Sequence, residues 1–212
     1  MFDRKGNAVL GELRTLGRRA LLALIRKSGP VPRIELSEQT GISRATVTTV
    51  TAELIERGLV EEIPVEPKGK DLKRGRPKVD LRIRGGAFYV AGAKLANKSV
   101  AIVIANFEGV VISEYEEALD TTTYAAKDLV DVFAKHLQKA CDAATIQLDQ
   151  ISAVGVGLAG IVDASLGVVR WSPSLVERNV ELKRLLSNKL DKPTFIDNDA
   201  NLVAKAEQHF GM

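Results

Sequence analysis

A chain of 212 residues, 45% of them hydrophobic, has enough apolar mass for two modest domains, which excludes a fully disordered protein. Its single cysteine, Cys141, cannot close an internal disulfide, and two histidines, His136 and His209, form no Cys/His cluster at zinc-ligand spacing. The net charge of +3 hides an asymmetry: residues 1–86 carry 18 Lys+Arg against 11 Asp+Glu and the remainder 12 against 16, so the parts stand at +7 and −4. A basic domain of this kind is the electrostatic footprint of a polyanion, and charge alone leaves nucleic acid and membrane both open.

Met1 to Leu10 carries Asp3, Arg4 and Lys5 where a secretion signal needs an apolar run, and no later segment reaches transmembrane length. A protein of the reducing cytoplasm is expected, with no membrane partner. Leu16, Ala20, Leu21, Ala23 and Leu24 recur at helical spacing over Leu16 to Ile25, and Ser28-Gly29-Pro30 closes that helix. Arg33 to Thr40 is a short second helix. Gly41-Ile42 turns the chain, and Ser43, a good N-cap, opens a third helix running to Arg57 and ended by Gly58. This is a helix-turn-helix. In its last helix Val47, Val50, Leu54 and Ile55 form an inward stripe, leaving Arg44, Thr46, Thr48, Thr49 and Glu53 for solvent or a partner. Arginine suits guanine acceptors in the major groove, threonine can offer a base its hydroxyl or its methyl, and a helix N-terminus suits phosphate.

Leu59 to Ile63, the Lys/Gly/Pro-rich stretch Pro64 to Lys78, and alternating Val79, Leu81 and Ile83 read as two strands joined by a basic loop, a wing. The loop holds Lys68, Lys70, Lys73, Arg74, Gly75, Arg76 and Pro77, and its Arg-Gly-Arg-Pro segment suits the narrow minor groove of A·T-rich DNA. On the residues alone, a plain three-helix bundle and a solvated basic linker remain as alternatives. The expected contacts to double-stranded DNA are Arg33, Ser43, Arg44, Ala45, Thr46, Thr48, Thr49, Lys73, Arg74, Gly75 and Arg76.

Beyond Gly86, Phe88 to Ile104 reads as two strands with a turn near Asn97, and Val110 to Tyr115 as a third. A helix over Tyr124 to Thr145, a strand Ala153 to Gly157, a helix near Leu182 to Leu190, a strand Thr194 to Ile196 and a helix Ala200 to Phe210 follow. Gly155, Gly157 and Gly160 satisfy GxGxxG, but a dinucleotide site needs a helix directly behind the glycines, whereas Ile161-Val162-Asp163 and Val168-Val169 look extended. These glycines read instead as a close strand-to-loop turn.

The chain resembles the ROK family of sugar-responsive repressors and sugar kinases. In the first half the resemblance rests on residues 33–47, RIELSEQTGISRATV, on Leu54-Ile-Glu-Arg-Gly-Leu-Val60 and on Gly75-Arg-Pro77; in the second, on Gly155-Val-Gly-Leu-Ala-Gly-Ile-Val-Asp163, Gly167-Val-Val169 and Asp197-Asn-Asp-Ala-Asn201. The fold it implies is α/β with an all-α, winged-helix N-terminal domain over 1–86. Over 87–212 the first lobe of an actin-like (ribonuclease H-like) ATPase/sugar kinase fold would follow. The resemblance puts the catalytic base at Asp199, vestigial here, and ligand contacts at Gly160, Asn198 and Asp199. The plain reading of Asp197, Asn198 or Asp199 is a cap of the final helix.

The sequence departs from the kinases where the family's aspartate and Gly-Gly-Thr element fall on Lys94 and on Ala96-Asn97-Lys98. A cation and two side chains replace the groups that would let backbone amides reach phosphates, so ATP binding reads as lost and no enzyme is expected. The family's chains continue into a second lobe, so this sequence, ending at Met212, reads as truncated after the first. The resulting expectation is a cytoplasmic, nucleoid-associated DNA-binding regulator, a repressor of carbohydrate genes with a sugar or amino-sugar effector. It is expected as a homodimer or higher homo-oligomer, with no cofactor and no metal. An active sugar kinase with a DNA-binding appendage and a constitutive DNA-binding protein with a non-sensing association domain are the rival readings.

Overall fold

The computed structural model describes the backbone of residues 4–65 and 79–210 and the side chains of residues 15–65 and 79–208. The chain forms two compact units, Met1–Ala87 and Phe88–Met212.

The first unit runs α1 (Arg4–Ser28), β1 (Val31–Pro32), α2 (Arg33–Thr40), α3 (Arg44–Glu56), β2 (Val60–Pro64) and β3 (Val79–Ile83). Its sheet is antiparallel in the order β1-β3-β2, with Val31 opposite Leu81 and Val60 opposite Ile83. Leu21, Ile25, Leu36, Val47, Val50, Leu54, Val60, Leu81 and Ile83 are buried and make the core. α1 begins well before the expected Leu16. Val9, Leu10 and Leu13 carry the apolar spacing upstream of Leu16, and the helix extends with it. β1 is not expected, because Pro32 reads as a break; it is tolerated because among the described residues β1 lies at the sheet edge, paired with β3 alone.

The second unit runs β4 (Tyr89–Leu95), β5 (Ser99–Asn106), β6 (Val111–Ala118), α4 (Ala126–Ala143), β7 (Ile151–Leu158), β8 (Ile161–Asp163), β9 (Val168–Trp171), α5 (Leu182–Leu190), β10 (Thr194–Asn198) and α6 (Asp199–Phe210). Five strands make one mixed sheet in the order β10-β7-β4-β5-β6, parallel from β10 to β4 and antiparallel beyond. Alternation decides which face is buried. Ala91, Leu95, Val100, Ile102, Ile104, Val154, Val156 and Ile196 join one core with Leu129, Phe133, Leu137 and Ala140 of α4 and Leu182, Leu186 and Leu190 of α5. Full burial of Phe133, Leu137 or Leu186 contributes about 1.5–3 kcal/mol each. The opposite positions carry small residues, Gly92, Ala101, Ala105 and Gly155, with exposed Val90, Val103 and Phe195 among them.

β8 and β9 form a separate hairpin directly behind the glycines of GxGxxG. A dinucleotide-binding helix is therefore absent from the place where that fingerprint needs one.

Candidate nucleic-acid interface and ligand site

The interhelical turn is built from its side chains. Gly41 holds φ 70°, the left-handed conformation that favours glycine, and its N–H donates to the Ser37 carbonyl at 3.0 Å. The Ser37 hydroxyl donates to the Ile42 carbonyl at 2.7 Å, and Ser43 Oγ accepts from the Thr46 N–H at 3.2 Å, capping α3 as its sequence position predicts. Val47, Val50, Thr51 and Leu54 are the buried face of α3. Thr51 is thus an inward residue, whereas Ile55, expected inward, is half-buried.

On the opposite side Ser43, Arg44, Ala45, Thr46, Thr48 and Thr49 are exposed. Arg44 has no ion-pair partner among the described residues, so its guanidinium is available. Two residues read as outward behave otherwise. Arg33 donates from Nε to Thr51 Oγ1 at 3.1 Å and pairs with Glu62 at 2.6 Å, tying α2 to α3 and β2. Glu53 is half-buried and pairs with Arg18 of α1 at 3.6 Å. Nothing local in sequence marks either arrangement, since the partners lie between 18 and 35 positions away. Lys73, Arg74, Gly75 and Arg76, with the rest of residues 66–78, lie outside the described residues.

In the second unit the structure brings Gly160, Asn198 and Asp199 together where β7 and β10 end. Asn198 Oδ1 accepts from the N–H groups of Ala200 at 2.9 Å and Asn201 at 3.3 Å, capping α6, while its Nδ2 donates to the Gly160 carbonyl at 2.8 Å. Asp199 Oδ1 accepts from the Ala200 N–H at 3.0 Å. One amide hydrogen of Asn198 and one carboxylate oxygen of Asp199 have no partner among the described residues, a donor beside an acceptor, as a pair of hydroxyls would require. Gly160 sits at φ 129°, and a Cβ there would collide with the Trp171 carbonyl and approach Ser172 Cα to 2.8 Å. The site is therefore pinned to β9 by backbone contact.

Asp197 was not singled out as a contact but fixes this junction. Its buried carboxylate accepts from Lys205 Nζ at 2.6 Å, Asn198 N at 2.8 Å and Asn201 Nδ2 at 3.0 Å. The Lys205 ammonium, with those two donors, holds the carboxyl below the usual carboxylate range despite its burial. Helical spacing does not mark this pair, because Asp197 ends β10 while Lys205 lies on α6, and only the strand-to-helix junction brings them together.

At the end of β4, Lys94 is exposed on the face opposite the core, in register with Gly157. The turn that follows is closed by side chains. Ser174 Oγ, buried, lies 3.0 Å from Asn97 Oδ1 and 3.3 Å from the Leu95 carbonyl, and Thr121 Oγ1 donates to the Ala96 carbonyl at 3.1 Å. Lys98 is paired with Asp120. Cys141 is buried in the core, and burial pushes its thiol up to about 11, so it is inert at neutral pH. Among the described residues no group of His, Cys, Asp and Glu is placed to hold a metal, and no helix is long and apolar enough to cross a membrane.

The ROK family profile matches residues 99–212, more than half of the chain. The chain belongs to the ROK family. Residues 15–64 match the MarR family profile, the span of α2, α3 and β2 together with most of α1. Among curated ROK-like relatives, the xylose repressor of Caldicellulosiruptor bescii is 30% identical over 211 residues, covering 97% of this chain and 50% of its own length. The DNA-binding transcriptional dual regulator NagC of Escherichia coli strain K12 is 26% identical with the same coverage. This chain thus spans about half the length of the curated relatives it matches. Among solved structures, a ROK family transcriptional regulator described as a homolog of the E. coli MLC protein superposes with a TM-score of 0.72 at 23% identity, covering 93% of this chain and 49% of its own. The architecture is accordingly a winged-helix unit followed by an actin-like, ROK kinase-like first lobe.

Proposed function

We propose that this ROK chain is a sequence-specific, double-stranded-DNA-binding transcription regulator that represses genes of carbohydrate metabolism and takes a sugar or amino sugar as effector. The observation that carries the reading is the exposed N-terminal half of α3, with Arg44 unpaired among the described residues, in a unit of net charge +7. Relatives named xylose repressor and DNA-binding transcriptional regulator support both the role and the effector class. Lys73, Arg74, Gly75 and Arg76 supply further phosphate or minor-groove contacts. One recognition helix reads few bases, so the regulator works as a homodimer on a two-fold site, in the cytoplasm with the nucleoid.

Gly160, Asn198 and Asp199 hold the effector, Asn198 donating to one hydroxyl and Asp199 accepting from another. The chain transfers no phosphate. A kinase needs glycine-rich turns whose amides face the phosphates. Here that turn carries Asn97 against Ser174, Lys94 in place of an acid, and Lys98 already paired with Asp120.

The deciding experiment is fluorescence anisotropy of the 212-residue chain on its own upstream DNA, with and without a panel of sugars and amino sugars. Sequence-specific binding that one sugar abolishes is the expected result. Specific binding indifferent to every sugar would leave a DNA-binding and association module and reject the sensing role. Equal affinity for unrelated DNA would reject the regulator itself.

A further inference from the structure

We propose that α3 reads thymine through methyl groups, its operator specificity resting on contacts of Ala45, Thr48, Thr49 and Ala52 with thymine C5-methyls. This deepens, and rests on, the DNA-binding reading above. Thr48 Oγ1 donates to the Arg44 carbonyl at 2.8 Å, and Thr49 Oγ1 donates to the Ala45 carbonyl at 3.1 Å. A threonine hydroxyl has one hydrogen, so both are spent as donors inside the helix. With each oxygen turned back over the preceding turn, the γ-methyl is the group left facing outward. Ser43 and Thr46, at the start of the helix and outside this row, share one bond between hydroxyls 2.9 Å apart, which leaves one of the two with its hydrogen free.

Ala45, Thr48, Thr49 and Ala52 fall at i, i+3, i+4 and i+7, one face of the helix, and all four are exposed. The middle of the recognition face is therefore a row of methyl groups without a free hydroxyl donor, headed by Arg44. In the major groove only thymine presents a methyl, and alanine and threonine methyls are its complement. Charge selects DNA over an apolar protein surface as the occupant: the face lies on a unit of net charge +7, beside a cation with no partner among the described residues. Arg44 then holds the helix N-terminus on phosphate or guanine while the methyl row discriminates thymine from cytosine.

The test uses the full chain and operators it enriches from a random-sequence duplex pool, with each thymine replaced in turn by deoxyuridine, which deletes the methyl alone. At one or two positions per half-site the replacement should weaken binding about fourfold, the equivalent of about 0.8 kcal/mol for one buried methyl-sized group. Thr48→Ser and Thr49→Ser keep the hydroxyl and its bond to the helix, and each should lose a similar factor and its sensitivity to deoxyuridine. Thr48→Val and Thr49→Val keep the methyl, and should retain both affinity and sensitivity. The reverse pattern, with serine variants unaffected and valine variants weakened, would mean that hydroxyls read the bases and would overturn the inference. So would indifference to deoxyuridine at every position on an operator that is otherwise bound specifically. A pool from which no sequence is enriched would instead remove the DNA-binding reading, and the inference with it.

Discussion

Gly160 carries two constraints that no other residue type meets. Its φ of 129° is strained for any L side chain, and a Cβ would press on the backbone of Trp171 and Ser172, which cannot yield as a flexible side chain can. Gly160→Ala should cost at least the roughly 1–3 kcal/mol of the backbone strain alone and displace β8–β9, read as a lowered urea midpoint. An unchanged midpoint would mean that the turn relaxes freely. Asp199 is the contrasting case. Its bond from the Ala200 N–H survives in Asp199→Asn because the amide oxygen still accepts. That variant should keep stability within about 0.5 kcal/mol, and DNA affinity unchanged, while the sugar response changes. A preserved response would return Asp199 to its place in the first turn of α6. At this scale the sequence was readable where a residue acts on its neighbours. Ser43 at the start of α3 and Gly41 before it were legible because capping and positive φ are local properties. The bonds of Arg33 to Thr51 and Glu62 are not legible locally, because those partners come from other elements.

Elements show the same division. The bounds of α2 and the start of α3 follow from turn chemistry, whereas α4 starts at Ala126 instead of near Tyr124 and is capped from a distance. Ala125 has no capping side chain; both carboxylate oxygens of Glu177, 51 residues on, accept from the Ala126 N–H at 3.0 Å. Negative charge there also complements the helix dipole. Glu177→Ala should lower stability by about 0.5–1 kcal/mol and Glu177→Gln by less, measured by urea unfolding. An alanine variant as stable as the parent would show that solvent caps α4 equally well. Where α4 meets β6, Tyr115 bonds to Glu117, and its hydroxyl lies 2.8 Å from His136 Nδ1. Because a phenol has one hydrogen, donated to the carboxylate, His136 Nδ1 is the donor to Tyr115, and Lys139 closes the relay on Glu117 at 2.8 Å. Burial lowers the His136 pKa against the opposing attraction of Glu117. A histidine whose folded pKa is depressed binds its proton more readily unfolded. Its contribution is present above the ordinary value of about 6.5 and is lost as pH falls from there toward the folded value. The urea midpoint should therefore fall from pH 7.5 to 5.5, and less steeply in His136→Gln. Parallel profiles would show that His136 is not the titrating group.

Across the whole molecule, charge distribution carries the functional argument that neither residues nor elements supply alone. The residues before Gly86 stand at +7 and those after at −4, a partition visible in the sequence and coincident with the division between winged-helix unit and kinase-like lobe. The negative lobe repels DNA, so binding should depend on the basic unit and respond steeply to salt. Each neutralised phosphate releases condensed counterions, giving a slope of about −0.9 in log K against log salt per contact. If the helix N-terminus and the cations Lys68, Lys70, Lys73, Arg74 and Arg76 engage about six phosphates, affinity for random duplex should fall about 10³-fold between 50 and 200 mM salt. Arg74→Ala and Arg76→Ala together should flatten the slope by about two. Arg44 and the methyl face should add a term that differs between operator and random DNA at every salt concentration, since base contacts release few counterions. Equal slopes for parent and double variant would place the phosphate contacts on the helices instead of the wing. A nearly flat slope for the parent would reject phosphate neutralisation as the source of affinity, and with it the meaning assigned to the charge partition.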